Sequence, residues 1–277
     1  MTVHFTNDSE DLAKAYDEIS NSQFKNGTLL VEKLDVKPGQ SILDIGSGTG
    51  RLGRHIGEII GDTGSFLGID PLEERVKIAN DKNRQANAVY KIGLAEDLSF
   101  IPDSSIDIIY LNAVFHWVID KEKALQEIYR VLKPGGKAGF ATGARELNSI
   151  TGLNRITNSV LSGGLYKQAV NFADSIQNLH GLTTTGLVQL LANNGLKVKD
   201  VQIKESERKY RSAEEITRFI EASSFGNYLN HVPDELRPQA KVDIEAELEK
   251  QRNGDGLIQF SNYTIFAIAQ KSLPSAA

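Results

Sequence analysis

The sequence predicts an α/β fold in which a mostly parallel sheet is covered by helices on both faces. Three observations predict it. First, short apolar runs alternate five times with stretches of helical spacing over residues 41–141. That alternation is the pattern of strands joined by crossover helices. Second, runs such as Ile106-Asp107-Ile108-Ile109-Tyr110-Leu111 are nearly continuous in apolar residues. Strands buried on both faces read this way. Third, the first run leads straight into Gly46-Ser47-Gly48-Thr49-Gly50, a glycine cluster suited to a strand-to-helix turn.

Residues 10–34 have helical spacing through Leu12, Ala15, Tyr16, Ile19, Leu29 and Leu30, and Asn26-Gly27 is expected to break the helix. Pro38-Gly39 marks a turn. Residues 41–45 are a strand and 51–60 a helix. Residues 65–70 are a strand. The helix expected over 72–85 carries Glu73 and Glu74 in its first turn, where acids suit the helix dipole. Strands follow at 89–92 and 106–111, then a helix over 121–132. Lys133-Pro134-Gly135-Gly136 reads as a turn into a fifth strand, 137–141.

Residues 145–180, rich in Asn, Ser, Gly and Thr, read as short helices. A helix over 184–194 ends at Gly195, a C-cap. A strand is expected at 198–203. Residues 212–251 are helical, with interruptions at Pro233 and Pro238. The last strand, 257–269, is reached through Asn253-Gly254-Asp255-Gly256. Strands follow each irregular stretch, so these are read as insertions into a single domain, 1–277. Its parts are an N-terminal helical cap (1–34), a ligand-binding core (35–144), helical lid insertions (145–180 and 211–257) and the last strands (181–210 and 258–271).

The 277 residues are 40% hydrophobic and 24% charged, with a net charge of −5 and no clustered basic run. A nucleic-acid partner is not expected from that balance. There is no cysteine, which excludes disulfides, thiolate metal sites and a thiol nucleophile. No stretch approaches the roughly 18 apolar residues of a membrane span. The segment Met1-Thr2-Val3-His4-Phe5 lacks the features of a secretion signal, so a cytoplasmic location is expected. His4, His55, His116, His180 and His231 are too dispersed to suggest a metal cluster.

The glycine loop carries the strongest chemical signal. Its spacing is Gly46-x-Gly48-x-Gly50, whereas a dinucleotide fingerprint would place the third glycine at 51, which is Arg51. Asp44 stands two residues before Gly46. It suits the cationic amino-acid tail of a ligand and would repel a pyrophosphate. Asp70 ends the second strand, where a carboxylate accepts hydrogen bonds from ribose hydroxyls.

Residues 41–140 resemble the class I S-adenosylmethionine-dependent methyltransferases. The resemblance rests on five ordered motifs: Ile42 through Gly50, Gly68-Ile69-Asp70, Leu94-Ala95-Glu96-Asp97-Leu98, Ser105 through Ile109, and Val131-Leu132-Lys133-Pro134-Gly135-Gly136. It implies a Rossmann-like, seven-stranded, mostly parallel sheet sandwiched by helices. It also implies S-adenosylmethionine as cofactor and S-adenosylhomocysteine as product. By the resemblance, Gly46 and Gly48 approach the methionine part, Asp44 faces the loop, Asp70 holds the ribose, and Gly50 and Pro71 also belong to the cofactor site. Ala95 and Glu96 lie along the adenine, and Asn112 lies near the methionine amino group. Relatives often have Gly-Asp-Ala-Glu where this chain has Gly93-Leu94-Ala95-Glu96, which puts the adenine contacts in question.

After the fourth strand comes Asn112-Ala113-Val114-Phe115-His116-Trp117-Val118, at the reactive end of the cofactor. His116-Trp117-Val118 with Asp120 and Ile128-Tyr129 resembles the juvenile hormone acid, trans-aconitate and malonyl-carrier-protein carboxyl methyltransferases. Tyr16, Ser20 and Gln23 follow the N-terminal helix spacing of the first of these, and Ser224 through Leu236 is also similar. The resemblance implies that Gln23 and Trp117 hydrogen-bond a substrate carboxylate and places Tyr16 at the cofactor. Packing of Phe115 and Trp117 against the next helix, and a merely solvated Gln23, are the plainer alternatives. A carboxylate acceptor is already ionised at neutral pH and needs no base. A phenol, an amine or carbon would need one, and His116 is the candidate.

The expected function is therefore methyl transfer to a small molecule, first to a carboxylate oxygen. N-, phenol O- or C-methylation is the alternative, a dinucleotide-dependent oxidoreductase the remote one, and a non-catalytic binding protein a third. Arsenite methyltransferases share the core but bind arsenic through cysteines, so that activity is not expected. Leu161, Leu165, Phe172, Phe219, Phe225, Tyr228 and Leu229 in the insertions would favour a partly apolar acceptor, unless they serve only to pack the insertions.

Overall fold

The computed structural model describes residues 5–148, 152–172, 175 and 181–273. His4, His180 and part of the 145–180 insertion lie outside the described residues. The chain opens with α1 (Glu10–Ile19) and α2 (Asn21–Leu34). The Ser9 hydroxyl accepts the Leu12 N–H at 3.2 Å and caps α1. The break between the helices falls at Ser20, not at Asn26-Gly27 as the sequence predicts. Gly27 stays inside α2 because the site leaves no room for a side chain. An added Cβ would stand 2.5 Å from Leu52 Cδ2 and 2.8 Å from Asn112 Nδ2. Close packing there outweighs glycine's poor helix propensity, about 1 kcal/mol.

The core continues with β1 (Ser41–Ile45), α3 (Arg51–Ile60), β2 (Ser65–Asp70), α4 (Glu73–Lys82), β3 (Ala88–Ile92), β4 (Ile106–Asn112), α5 (Lys121–Val131) and β5 (Leu132–Gly143). α4 stops at Lys82, short of the expected residue 85, because the Asn83 amide donates to Ala79 O at 2.8 Å and ends the ladder. The segment Lys133 to Gly136, expected as a turn, falls within β5 as a bulge, with Gly135 at φ 80° and the pairing with β4 shifted in register there. Pro134 disfavours helix at Lys133, so the chain leaves α5 directly into a strand.

There follow α6 (Arg145–Asn148), α7 (Gly152–Leu161), α8 (Thr184–Asn193), β6 (Leu196–Tyr210), α9 (Ala213–Ser223), α10 (Arg237–Glu249) and β7 (Ile258–Lys271). Ser212 caps α9 by accepting the Glu215 N–H at 3.2 Å. Pro238 does not interrupt a helix. It lies in the first turn of α10, where its missing N–H costs no hydrogen bond. β6 runs past the expected 198–203 because its polar half, 204–210, pairs with β7.

The seven strands form one sheet in the order β3-β2-β1-β4-β5-β7-β6. β1 is parallel to β2 and β4, β2 to β3, and β4 to β5. Gln259 meets Glu207 and Ser261 meets Glu205, so β7 and β6 run in opposite directions. The strand order reverses between β1 and β4. Open α/β sheets bind ligands at the carboxyl ends of the strands beside such a switch point.

Contacts divide the chain into two compact units. The first is Met1–Ile19, Gly143–Thr183 and Lys204–Thr264, and the second is Ser20–Thr142, Thr184–Ile203 and Ile265–Ala277. α1 thus joins the two helical insertions in one unit. The core of the second unit is built by Leu30, Leu34, Ile42, Ile56, Ile60, Phe66, Tyr110 and Phe266. The first unit has its own core of Ile156, Leu161, Tyr166, Ile216, Leu229, Ile244 and Leu248. The apolar residues considered above as acceptor-lining mostly serve that packing. Leu161 and Leu229 are core, Phe172 and Tyr228 pack on it, Phe219 and Phe225 are buried, and Leu165 is 54% exposed. Among the described residues, no helix is long and apolar enough to cross a membrane.

Candidate active site

The site is built at the carboxyl ends of β1, β2 and β4, in the second unit. After Ile45 the chain turns through Gly46, Gly48 and Gly50, at φ 78°, 54° and 77°. Left-handed backbone at three alternate positions is what the glycine spacing provides. Gly46 is also sterically fixed, since a Cβ there would stand 2.1 Å from Val114 Cγ2. The Gly46 and Ser47 N–H groups donate to Ile69 O at 2.7 and 2.9 Å, which sews the turn to β2.

Asp70 is buried and braces this turn. Its Oδ2 accepts the Gly48 N–H at 2.8 Å and its Oδ1 accepts the Leu72 N–H at 2.9 Å. Both oxygens thus face the turn that the two strands make. Pro71 contributes no donor of its own, so the first N–H beyond Asp70 is that of Leu72. Asp44 is 3% exposed, and its Oδ2 accepts the Tyr110 hydroxyl proton at 2.6 Å. Burial pushes the Asp44 carboxyl up to about 8, Tyr110's hydrogen bond opposes that rise, and the negative Asp70 adds to it.

Asn112 ends β4. Its Nδ2 donates to Gln23 O at 2.9 Å and holds the first turn of α2, while its buried Oδ1 has no protein partner. The Gln23 side chain is half-buried, with Oε1 accepting the Ser22 hydroxyl at 2.8 Å. Arg51, in the place of a dinucleotide fingerprint's third glycine, does structural work. Its guanidinium donates to Ser20 Oγ at 3.1 Å and Asn21 Oδ1 at 2.9 Å, and lies 5.2 Å from the Phe24 ring centroid.

Beyond Asn112, Ala113 adopts φ 59°, an uncommon left-handed conformation for a non-glycine residue. Phe115 is fully buried against Phe140 of β5, with centroids 5.0 Å apart, rather than set against the next helix alone. His116 and Trp117 are only half-buried, their rings 5.1 Å apart. His116 Nδ1 lies 3.1 Å from Thr142 Oγ1, within hydrogen-bond reach. Ala95 is buried in a turn closed by a Leu94–Asp97 bridge, with Leu94 itself exposed. Glu96 Oε1 accepts the Ile119 and Asp120 N–H groups at 3.1 and 3.3 Å, bracing the loop after Trp117. Tyr16 lies half-buried on α1, in the first unit.

The structure therefore gathers Gln23, Asp44, the glycine turn, Asp70, Pro71 and Asn112 through His116 in the second unit. Sequence reasoning missed Tyr110, Val114, Thr142 and Arg51 as supporting residues. Only the register of β1 against β4, which sets Asp44 beside Tyr110, would have revealed the first. A cleft of 1020 Å³ lies at the other end of the sheet, past Ser41, Ser65 and Ser105. It is remote from these groups. Among the described residues no His, Asp and Glu cluster is arranged to hold a metal ion.

Comparison with known proteins follows this geometry. Residues 43–140 match a methyltransferase domain. That domain spans β1 to β5 and contains Asp44, the glycine turn, Asp70, Asn112 and His116. Over 190 residues the chain is 30% identical to an arsenite methyltransferase of Aquipseudomonas alcaligenes, covering 64% of this chain and 53% of that protein. It is 39% identical over 105 residues to the ubiquinone/menaquinone biosynthesis C-methyltransferase UbiE of Vibrio campbellii, covering 36% and 40%. The chain thus spans about half the length, or less, of these relatives. Among solved structures, the YcgJ protein from Bacillus subtilis aligns with a TM-score of 0.61 at 19% identity, over 90% of this chain and 99% of that one. A SAM-dependent methyltransferase from Aquifex aeolicus aligns with a TM-score of 0.52 at 20% identity, over 70% and 91%. These structures share the Rossmann-like α/β fold.

The cofactor that goes with a methyltransferase domain is S-adenosylmethionine, and the residues present fit it. The Gly46 cradle closes if a Cβ is added. Ser47 Oγ and Asn112 Oδ1 are buried polar atoms without a protein partner. Asp44 is a buried acid faced by phenols and another acid, which suits a cationic ligand.

Proposed function

We propose that this chain transfers a methyl group from S-adenosylmethionine to a small-molecule acceptor, with a carboxylate oxygen as first choice. The observation that carries the reading is the glycine turn closed by Val114, braced by Asp70 and backed by buried Asp44. When bound, the cofactor supplies a methyl carbon activated by its sulfonium. Gly46, Gly48 and Gly50 admit the methionine part against bare backbone. Asn112 Oδ1 accepts from its amino group, and Asp44 faces its positive charge. Asp70, beside Pro71 at the end of β2, is the acid assigned to the ribose hydroxyls. Ala95 and Glu96 line the adenine, with Leu94 replacing the acid common in relatives. Tyr16 is assigned to the cofactor by family resemblance alone.

An in-line displacement asks the protein chiefly for position. A carboxylate acceptor arrives ionised, so the protein need only orient it. The Gln23 amide and the Trp117 indole N–H are the donors assigned to that task, and Asn112 fixes the backbone of the helix that carries Gln23.

A second reading is favoured by the His116–Thr142 contact. Thr142 holds the ring through Nδ1. In the tautomer whose Nδ1–H donates to Thr142 Oγ1, Nε2 takes a proton from a phenol, an amine or a carbon acid, and UbiE is a C-methyltransferase. Arsenite is not proposed, since the chain has no thiol to bind it. Mass spectrometry of products from panels of carboxylic acids, phenols and amines separates the readings. Methyl esters formed equally well by His116→Ala support the first. Phenol, amine or carbon products lost by about 10²–10⁴-fold in His116→Ala support the second.

A further inference from the structure

We propose that Tyr110 is a positioning residue for the cofactor, holding Asp44 as the buried countercharge to the ligand's cation, so that binding expels a proton from Asp44. The inference rests on S-adenosylmethionine being the ligand. Asp44 on β1 and Tyr110 on β4 are register partners across the switch point. Both are buried, and the Tyr110 O–H to Asp44 Oδ2 bond of 2.6 Å fixes the carboxyl. The titratable groups facing Asp44 are Tyr110 on β4, Tyr90 on β3 and Asp70 at the end of β2. None is a cation. A buried carboxylate without a countercharge is costly, and such a group stays protonated until one arrives. Here the countercharge is the ligand itself, which carries a sulfonium and an ammonium.

The step balances simply. The Asp44 carboxyl gives its proton to solvent, and the carboxylate left behind keeps the electron pair and faces the cation. Burial and Asp70 hold the carboxyl protonated near neutrality, while Tyr110's hydrogen bond favours the ionised form. Tyr110 is itself pushed well above its ordinary value by burial and by Asp44, so it remains the donor. Removing its hydroxyl makes Asp44 harder to ionise.

The experiment is calorimetric binding of S-adenosylmethionine from pH 6 to 9, in buffers of different ionisation enthalpy, to wild type, Tyr110→Phe and Asp44→Asn. For wild type, corrected for the titration of the ligand's own amino group, affinity rises up to about tenfold per pH unit and levels off above about 8, with protons released below that point. In Tyr110→Phe the plateau moves to higher pH. Its affinity at pH 7 falls about tenfold and recovers as pH rises. Asp44→Asn binds weakly and shows only the titration of the ligand's own amino group. Wild-type binding with no proton release and a flat profile overturns the proposal. So does a Tyr110→Phe defect equal at every pH, which marks a merely structural role. Failure of wild type to bind at any pH overturns the cofactor reading, and this proposal with it.

Discussion

Asp44, the acid proposed to face the cofactor's cation, works against the stability of its own fold. Burial raises its carboxyl to about 8 in the folded chain, against an ordinary value of 3.8. Between those values the unfolded chain is ionised while the folded one holds its proton. Stability without ligand therefore falls as pH rises from about 4 to about 8. Asp44→Asn removes that penalty. It should melt several degrees above wild type at pH 7.5, with the gap closing below pH 4, as read by thermal denaturation. A variant less stable than wild type at pH 7.5 would contradict this. Gly46 gives a complementary prediction. Gly46→Ala puts a Cβ 2.1 Å from Val114 Cγ2 at φ 78°. Its S-adenosylmethionine affinity should fall roughly tenfold or more. Adding Val114→Ala should recover only part of the loss, because the backbone strain remains. Of these features, Asp44 and Gly46 were legible from spacing. Tyr110 and Val114 were not, because they meet their partners only through strand register and a loop after β4.

At the scale of elements, α2 and α3 are tied by features that the sequence shows but does not explain. Arg51 looked like a departure from one fingerprint, and its role is to hold the start of α2 through Ser20, Asn21 and Phe24. Arg51→Ala should cost about 1–2 kcal/mol and raise hydrogen exchange over residues 21–25 more than over α3. Equal change in both helices would show that the contact is not local. Gly27 looked like a helix breaker, yet it packs so tightly that an added Cβ would meet Leu52 and Asn112. Gly27→Ala, which gains helix propensity, should nevertheless destabilise by about 1–3 kcal/mol in denaturant titrations. The strands of the core were legible because a parallel sheet writes its burial as apolar runs. The paired polar half of β6 was not, since exposed strand residues such as Lys204, Glu205 and Glu207 have no hydrophobic period.

At the scale of the molecule, strand order places the site. The reversal between β1 and β4 brings together Asp44, Asp70 and Asn112, which are far apart in sequence. The sheet and its crossovers were readable from alternation alone. The gathering of α1 with residues 143–183 and 204–264 was not, because those segments meet only through packing. The most direct test of the account is binding of S-adenosylmethionine, against NAD as control, to wild type, Gly46→Ala and Asp70→Ala. Folding of each variant is checked by circular dichroism. The account predicts micromolar S-adenosylmethionine binding by wild type, none of NAD, and severe loss in both folded variants. Tighter binding of NAD, or S-adenosylmethionine binding unchanged in Asp70→Ala and Gly46→Ala, would contradict it.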